Sequence, residues 1–186
     1  MALVVFLRGV NVGGHKTLRP SALARELARY DVVNIGAAGT FVVCKPPGRA
    51  ELRAQLLRKL PFAAEIAMCE GRDLLRLARQ NPFGSETAAA GVVRFASILV
   101  SPRSAALKLP LCIPGEGDWL VKVMARQGCI VWGEYRRHMK TIAYLAQMDK
   151  LLGTTVTTRN WNTITAIAEV LKGESRPKKR RAAASA

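Results

Sequence analysis

Acids are scarce in this chain. Against 29 Lys and Arg it sets only 13 Asp and Glu, a formal net charge of +16 over 186 residues. A field of that sign says nothing about fold, but it favours polyanions, phosphorylated ligands or an acidic partner. Histidine is scarcer still. His15 and His138 are the only two, and neither neighbours a Ser or Cys in a nucleophile motif. The few acids are scattered, so no carboxylate pair stands out for acid–base or metal chemistry. The four cysteines, Cys44, Cys69, Cys112 and Cys129, include no Cys-x-x-Cys and no metal-clip spacing. They read as free thiols packed as small hydrophobes, and no cofactor or metal is expected. No apolar stretch has the length of a bilayer span. The opening MALVVFLRGV lacks the basic start of a signal peptide, so the expectation is a cytoplasmic protein with no membrane association.

Apolar residues, by contrast, are plentiful at 49%, enough to bury a core. Residues 2–7 form a continuous apolar run too short for a helix, which predicts a buried strand. Pro20 suits the first turn of a helix carrying Leu23, Leu27 and Tyr30 on one face. Residues 32–35 and 40–44 are β-branched or aromatic around a glycine turn, as in a hairpin. A second helix follows with Leu52, Leu56, Leu57 and Leu60, then a short strand at 65–69. The order β-α-β-β-α-β is the ferredoxin-like split unit.

The second half repeats that order approximately. It reads as a helix over 71–80 stopped by Asn81-Pro82, a strand at 92–100, a proline-interrupted loop over 101–117 and a hairpin at 119–135. A helix at 139–152, a short strand and a final helix from Trp161 complete it. The predicted fold class is therefore α+β, with two ferredoxin-like units in tandem and an extra C-terminal helix. The units span residues 1–70 and 71–172. Residues 173–186, with Arg176, Lys178, Lys179, Arg180 and Arg181, lack periodicity and read as a disordered basic tail.

Two segments carry candidate chemistry. Arg8-Gly9-Val10-Asn11-Val12-Gly13-Gly14 leaves the first strand. Its glycines permit a sharp turn that presents backbone N–H groups to an anion, with Arg8 and Asn11 as side-chain donors. A tight strand-to-loop turn with no ligand is the other reading. A P-loop is excluded, because His15 stands where that motif requires Lys and the helix starts only near Pro20. The second segment is Thr157-Thr158-Arg159-Asn160-Trp161-Asn162-Thr163. Thr158 or Asn160 can cap the following helix, and Trp161 shares a stripe with Ile164, Ala168 and Leu171. Arg159 beside a helix N-terminus either pairs with one of the few acids or faces an anionic ligand.

The match to an RNA-recognition motif fails. Only Phe41 is aromatic on the third strand and no basic residue leads it, so nucleic-acid binding would be electrostatic and sequence-tolerant.

RGVNVGG at 8–14, Asn81-Pro82-Phe83 and Thr158-Arg159-Asn160-Trp161-Asn162-Thr163, in this order and spacing, resemble the bacterial family known as domain of unknown function 1697. The resemblance implies an α/β fold with ferredoxin-like subdomains and no established activity. The family usually carries Gln-Ser-Gly-Asn before its third strand, where this chain has Ala37-Ala38-Gly39-Thr40. The functional expectation is a module binding an anionic small molecule, phosphate-containing or nucleotide-like, or a nucleic acid. Arg8, Asn11, Gly13, Gly14, Arg159 and Asn160 form its pocket. The rivals are a small enzyme on a phosphorylated substrate, using the same pocket with Tyr135 or His138, and a basic protein that binds nucleic acid non-specifically.

Overall fold

The protein's computed structural model describes residues 1–11, 17–101 and 107–173. Gly13 and Gly14, and residues 174–186 of the expected basic tail, lie outside the described residues. The fold is α+β, as the sequence predicts.

The first sheet is made of β1 (Leu3–Leu7), β2 (Val32–Ile35), β3 (Thr40–Val43) and β4 (Ile66–Glu70), in the order β2-β3-β1-β4, each neighbour antiparallel. Between them run α1 (Pro20–Glu26), a 3-10 turn (Ala28–Tyr30) and α2 (Arg49–Lys59). β1 is buried on both faces, which is why its sequence is apolar without alternation. Leu3, Val5 and Leu7 face a core completed by Leu23, Leu27, Leu52 and Leu56. Val4 and Phe6 face the other way.

The second sheet contains β5 (Val92–Leu99), β6 (Leu111–Ile113), β7 (Val121–Gln127), β8 (Ile130–Arg136) and β9 (Val156–Asn160), in the order β6-β7-β8-β5-β9. Its helices are α3 (Gly71–Gln80), α4 (Thr141–Leu152) and α5 (Trp161–Lys172). Setting β6 aside, the strand order of the first sheet recurs. β6 is a difference from the sequence reading, which has loop there. Among the described residues it pairs only with β7, and an edge strand tolerates the flanking Pro110 and Pro114.

Three packed layers result. α1 and α2 cover the outer face of the first sheet, and α4 covers the outer face of the second. The middle layer joins Val4, Phe6 and Val42 of the first sheet to Ala96, Ile98 and Ile130 of the second, with Leu74, Leu77, Ile164 and Ile167 from α3 and α5. Each large side chain fully buried here stabilises the fold by roughly 1.5–3 kcal/mol. One backbone approach is unusually close: a Cβ on Gly133 of β8 would lie 1.9 Å from the Lys122 carbonyl oxygen, so only glycine fits beside the irregularity in β7 between Val123 and Ala125.

Candidate functional site

The exit of β1 gathers three of the expected site residues, and each has its donors occupied within the chain. Asn11 adopts a left-handed backbone, φ 57°, which Asn tolerates better than most residues. Its side-chain amide donates to the carbonyls of Leu18 (3.0 Å) and Ala37 (2.8 Å), and its oxygen accepts from Leu18 N–H at 2.8 Å. Asn11 thereby clips the base of the following loop to the turn before β3. The Arg8 guanidinium lies 2.5 Å from Asp149 and 3.5 Å from Glu65. Asp149 belongs to α4 and also accepts from Val156 N–H at 3.0 Å, so the Arg8 cluster ties the first sheet to the second.

Arg159 has a different environment. β9 pairs with β5 so that Arg159 stands opposite Ala96 and Thr157 opposite Ile98. Ala96 and Ile98 face the middle core, and alternation along a strand sends Arg159 the same way. There Nε donates to Thr40 Oγ1 at 2.7 Å and Nη1 to Thr158 O at 2.9 Å. Nη2 donates to Leu7 O at 2.8 Å and Ala38 O at 2.7 Å. The guanidinium also lies 5.7 Å from the centroid of the Phe6 ring. Among the described residues no carboxylate pairs with it. Burial away from water pulls its pKa down to about 10, so it stays charged across the neutral range. Neutral carbonyls and a hydroxyl solvate the cation, and neither a paired acid nor a ligand is needed to explain it. Three of its four partners, Leu7, Ala38 and Thr40, belong to the first sheet and its turn.

Asn160, the fourth expected side chain, caps α5: its Oδ1 accepts from Thr163 N–H (3.0 Å) and Oγ1 (2.9 Å). One residue beyond Arg159, it lines a separate cleft of about 360 Å³ with Thr87, Arg94, Arg137, Trp161 and Asn162. A helix leaves its first N–H groups without intrahelical partners, and α5 directs this end at the cleft rim. Trp161 is half-buried and packs edge-on to Phe83, ring centroids 4.8 Å apart. Arg94 is spread over two long contacts, Glu134 Oε1 and Phe83 O, each at 3.4 Å. Arg137 is exposed, and its guanidinium has no ion pair or hydrogen bond among the described residues. Sequence reasoning missed Arg94 and Arg137, because their convergence depends on strand register: Val92 pairs with Arg136, and Arg137 N–H reaches Gly91 O at 2.8 Å.

The catalytic candidates stand elsewhere. Tyr135 packs against Phe95, centroids 5.9 Å apart, and His138 Nδ1 accepts from Lys140 N–H at 3.2 Å. Neither lines the cleft. Burial is the main cause that raises the thiol pKa of Cys69 and of Cys129 and keeps both protonated at neutral pH. Neither thiol, nor Arg159, lines the cleft. Among the described residues no three of His, Cys, Asp and Glu gather as a metal ion would require, and no helix is long and apolar enough to cross a membrane.

No curated protein and no solved structure shows a significant match to the chain. A family-level comparison matches residues 1–109 to "Protein of unknown function (DUF1697)". That span includes RGVNVGG and Asn81-Pro82-Phe83, while the segment around Arg159 lies beyond it. More than half of the chain is matched, and the protein belongs to this uncharacterised family.

Proposed function

We propose that the protein is a binding module for a compact anionic ligand, phosphate-bearing or nucleotide-like, taken into the cleft at the start of α5. The observation that carries this reading is Arg137. It is a cation without a partner among the described residues, beside a helix N-terminus that itself favours anions. Arg94 adds a second positive group, Asn162 a side-chain amide and Thr87 a hydroxyl. The half-buried face of Trp161 supplies an apolar wall. Arg159 does not line this cleft, and among the described residues Asn160 is the one member of the sequence-derived set that does. The same reading treats residues 1–70 and 71–172 as two subdomains of ferredoxin-like order, supported by the recurring strand order.

The test is ligand-dependent thermal unfolding with inorganic phosphate, nucleoside phosphates and a neutral sugar. A ligand of the folded state at a hundred times its Kd stabilises by about 2.7 kcal/mol, roughly 5–10 °C for a chain of this size. Phosphate compounds are expected to raise the melting temperature, and Arg137→Ala is expected to abolish the rise. A rise that persists in Arg137→Ala, or no rise with any phosphate compound, would reject the cleft.

A further inference from the structure

α3 is divided by chemistry along its length. Gly71, Leu74 and Leu77 are buried, and the opposite side exposes Arg72, Arg76 and Arg79. Positions i, i+4 and i+7 fall on one helical face, spread over about 10 Å at 1.5 Å per residue. Among the described residues the one carboxylate in contact with this row, Asp73, is shared at the limit of ion-pair range: 4.0 Å from Arg72 and 3.8 Å from Arg76. Arg79 has no charged partner among the described residues. With Leu75 and Gln80 the arginines line an open groove of about 400 Å³.

A compact anion is held by donors that converge on a point, whereas these three are laid out in a row. A row of guanidinium groups fits a chain of charges, and its fork geometry matches phosphate oxygens in pairs. Arg79 also shares a neighbouring cleft with Lys172 at the end of α5, where Lys172 pairs with Glu169 at 2.9 Å.

We propose that the arginine face of α3 binds the sugar-phosphate backbone of a single-stranded nucleic acid. A flexible strand can adjust its phosphates to the three guanidinium groups. Among the described residues no aromatic ring lines the groove, so the contacts are to phosphates, which carry no sequence information, and binding is sequence-tolerant.

The experiment titrates the full-length protein into a fluorescent single-stranded oligonucleotide at several salt concentrations. Arg72→Gln/Arg76→Gln/Arg79→Gln is compared with the unchanged chain and with the corresponding triple Lys variant. Each phosphate neutralised on a single strand contributes about 0.7 to the slope of log K against log salt, so the Gln variant should lose about 2 from the slope and bind roughly tenfold more weakly at moderate salt. The Lys variant should keep most of both. All three arginines are exposed, so the melting temperature and the phosphate-induced rise at the α5 cleft should survive in the Gln variant, which separates this proposal from the previous one. An unchanged slope and affinity in the Gln variant would overturn it. So would poly-glutamate competing as well as the oligonucleotide at equal charge.

Discussion

Two polar regions of this protein contain arginine and asparagine beside exposed backbone, and they use them in opposite ways. At the exit of β1, Arg159, Asn11 and Arg8 direct their donors at Leu7, Ala37, Ala38 and Thr40 and at the carboxylates of Glu65 and Asp149. In the cleft at the start of α5, Arg137 has no such partner among the described residues, and Arg94 holds only long contacts. The residue types alone do not distinguish a clamp from a receptor. What distinguishes them is where the acceptors are, and at β1 the fold itself supplies them. Two are main-chain carbonyls of Ala37 and Ala38, so the turn before β3 serves this purpose without polar side chains at those positions.

The largest effect that would sharpen the contrast is expected from Arg159→Ala. It strands the Leu7 carbonyl and the Thr40 hydroxyl, both on fully buried residues, where an unsatisfied buried group costs about 1–3 kcal/mol each. A loss of about 3 kcal/mol or more should lower the melting temperature by roughly 6–12 °C, readable by circular dichroism. Arg159→Lys should recover part of this, because it keeps the charge and loses the fork. The pKa near 10 adds a sign. Burial favours the neutral form, so this group's contribution is flat from acid to neutral pH and turns more favourable, not less, as pH rises through 10. The Arg159→Ala deficit should therefore be the same at pH 6 and at pH 8.

Asn11→Ala comes next. It removes the loop clip and places Ala in a left-handed backbone, for an expected loss of about 1–2 kcal/mol. Asn11→Gly should cost less, since glycine accepts that conformation. Arg8→Ala is smaller. Its ion pairs are about a third exposed or more, and such pairs contribute up to about 1 kcal/mol. The difference should shrink as salt is raised, since the Debye length falls to about 3 Å at 1 M. Arg137→Ala should leave stability within about 0.5 kcal/mol of the parent while removing the response to phosphate. A large loss of stability there would break the comparison.

Much of the fold was legible because hydrophobic period survives in local sequence. The unbroken run of β1, the Asn81 stop of α3 with φ 44° and the Gly153 cap of α4 with φ 64° are local signals. β6 was not legible, since three residues between prolines carry too little pattern to outweigh them. The site was legible only in part. The sequence marked Arg159 as a cation in want of a reason, and the reason is non-local. β9 extends through Asn160, which turns Arg159 inward and leaves Asn160 at the helix start. The β-branched run Val156-Thr157-Thr158 was the signal that could have revealed this extension. Nothing comparable announces Arg94 and Arg137, which sit more than 40 residues apart in sequence and meet through the register of β5 with β8.

The most direct measurement compares the melting temperatures of Arg159→Ala and Arg137→Ala, each with and without phosphate at saturation. Arg159→Ala is expected to melt well below the parent yet keep the full rise with phosphate, and Arg137→Ala to melt with the parent and show no rise. The reverse pattern, Arg159→Ala as stable as the parent but blind to phosphate, would contradict the assignment of clamp and receptor.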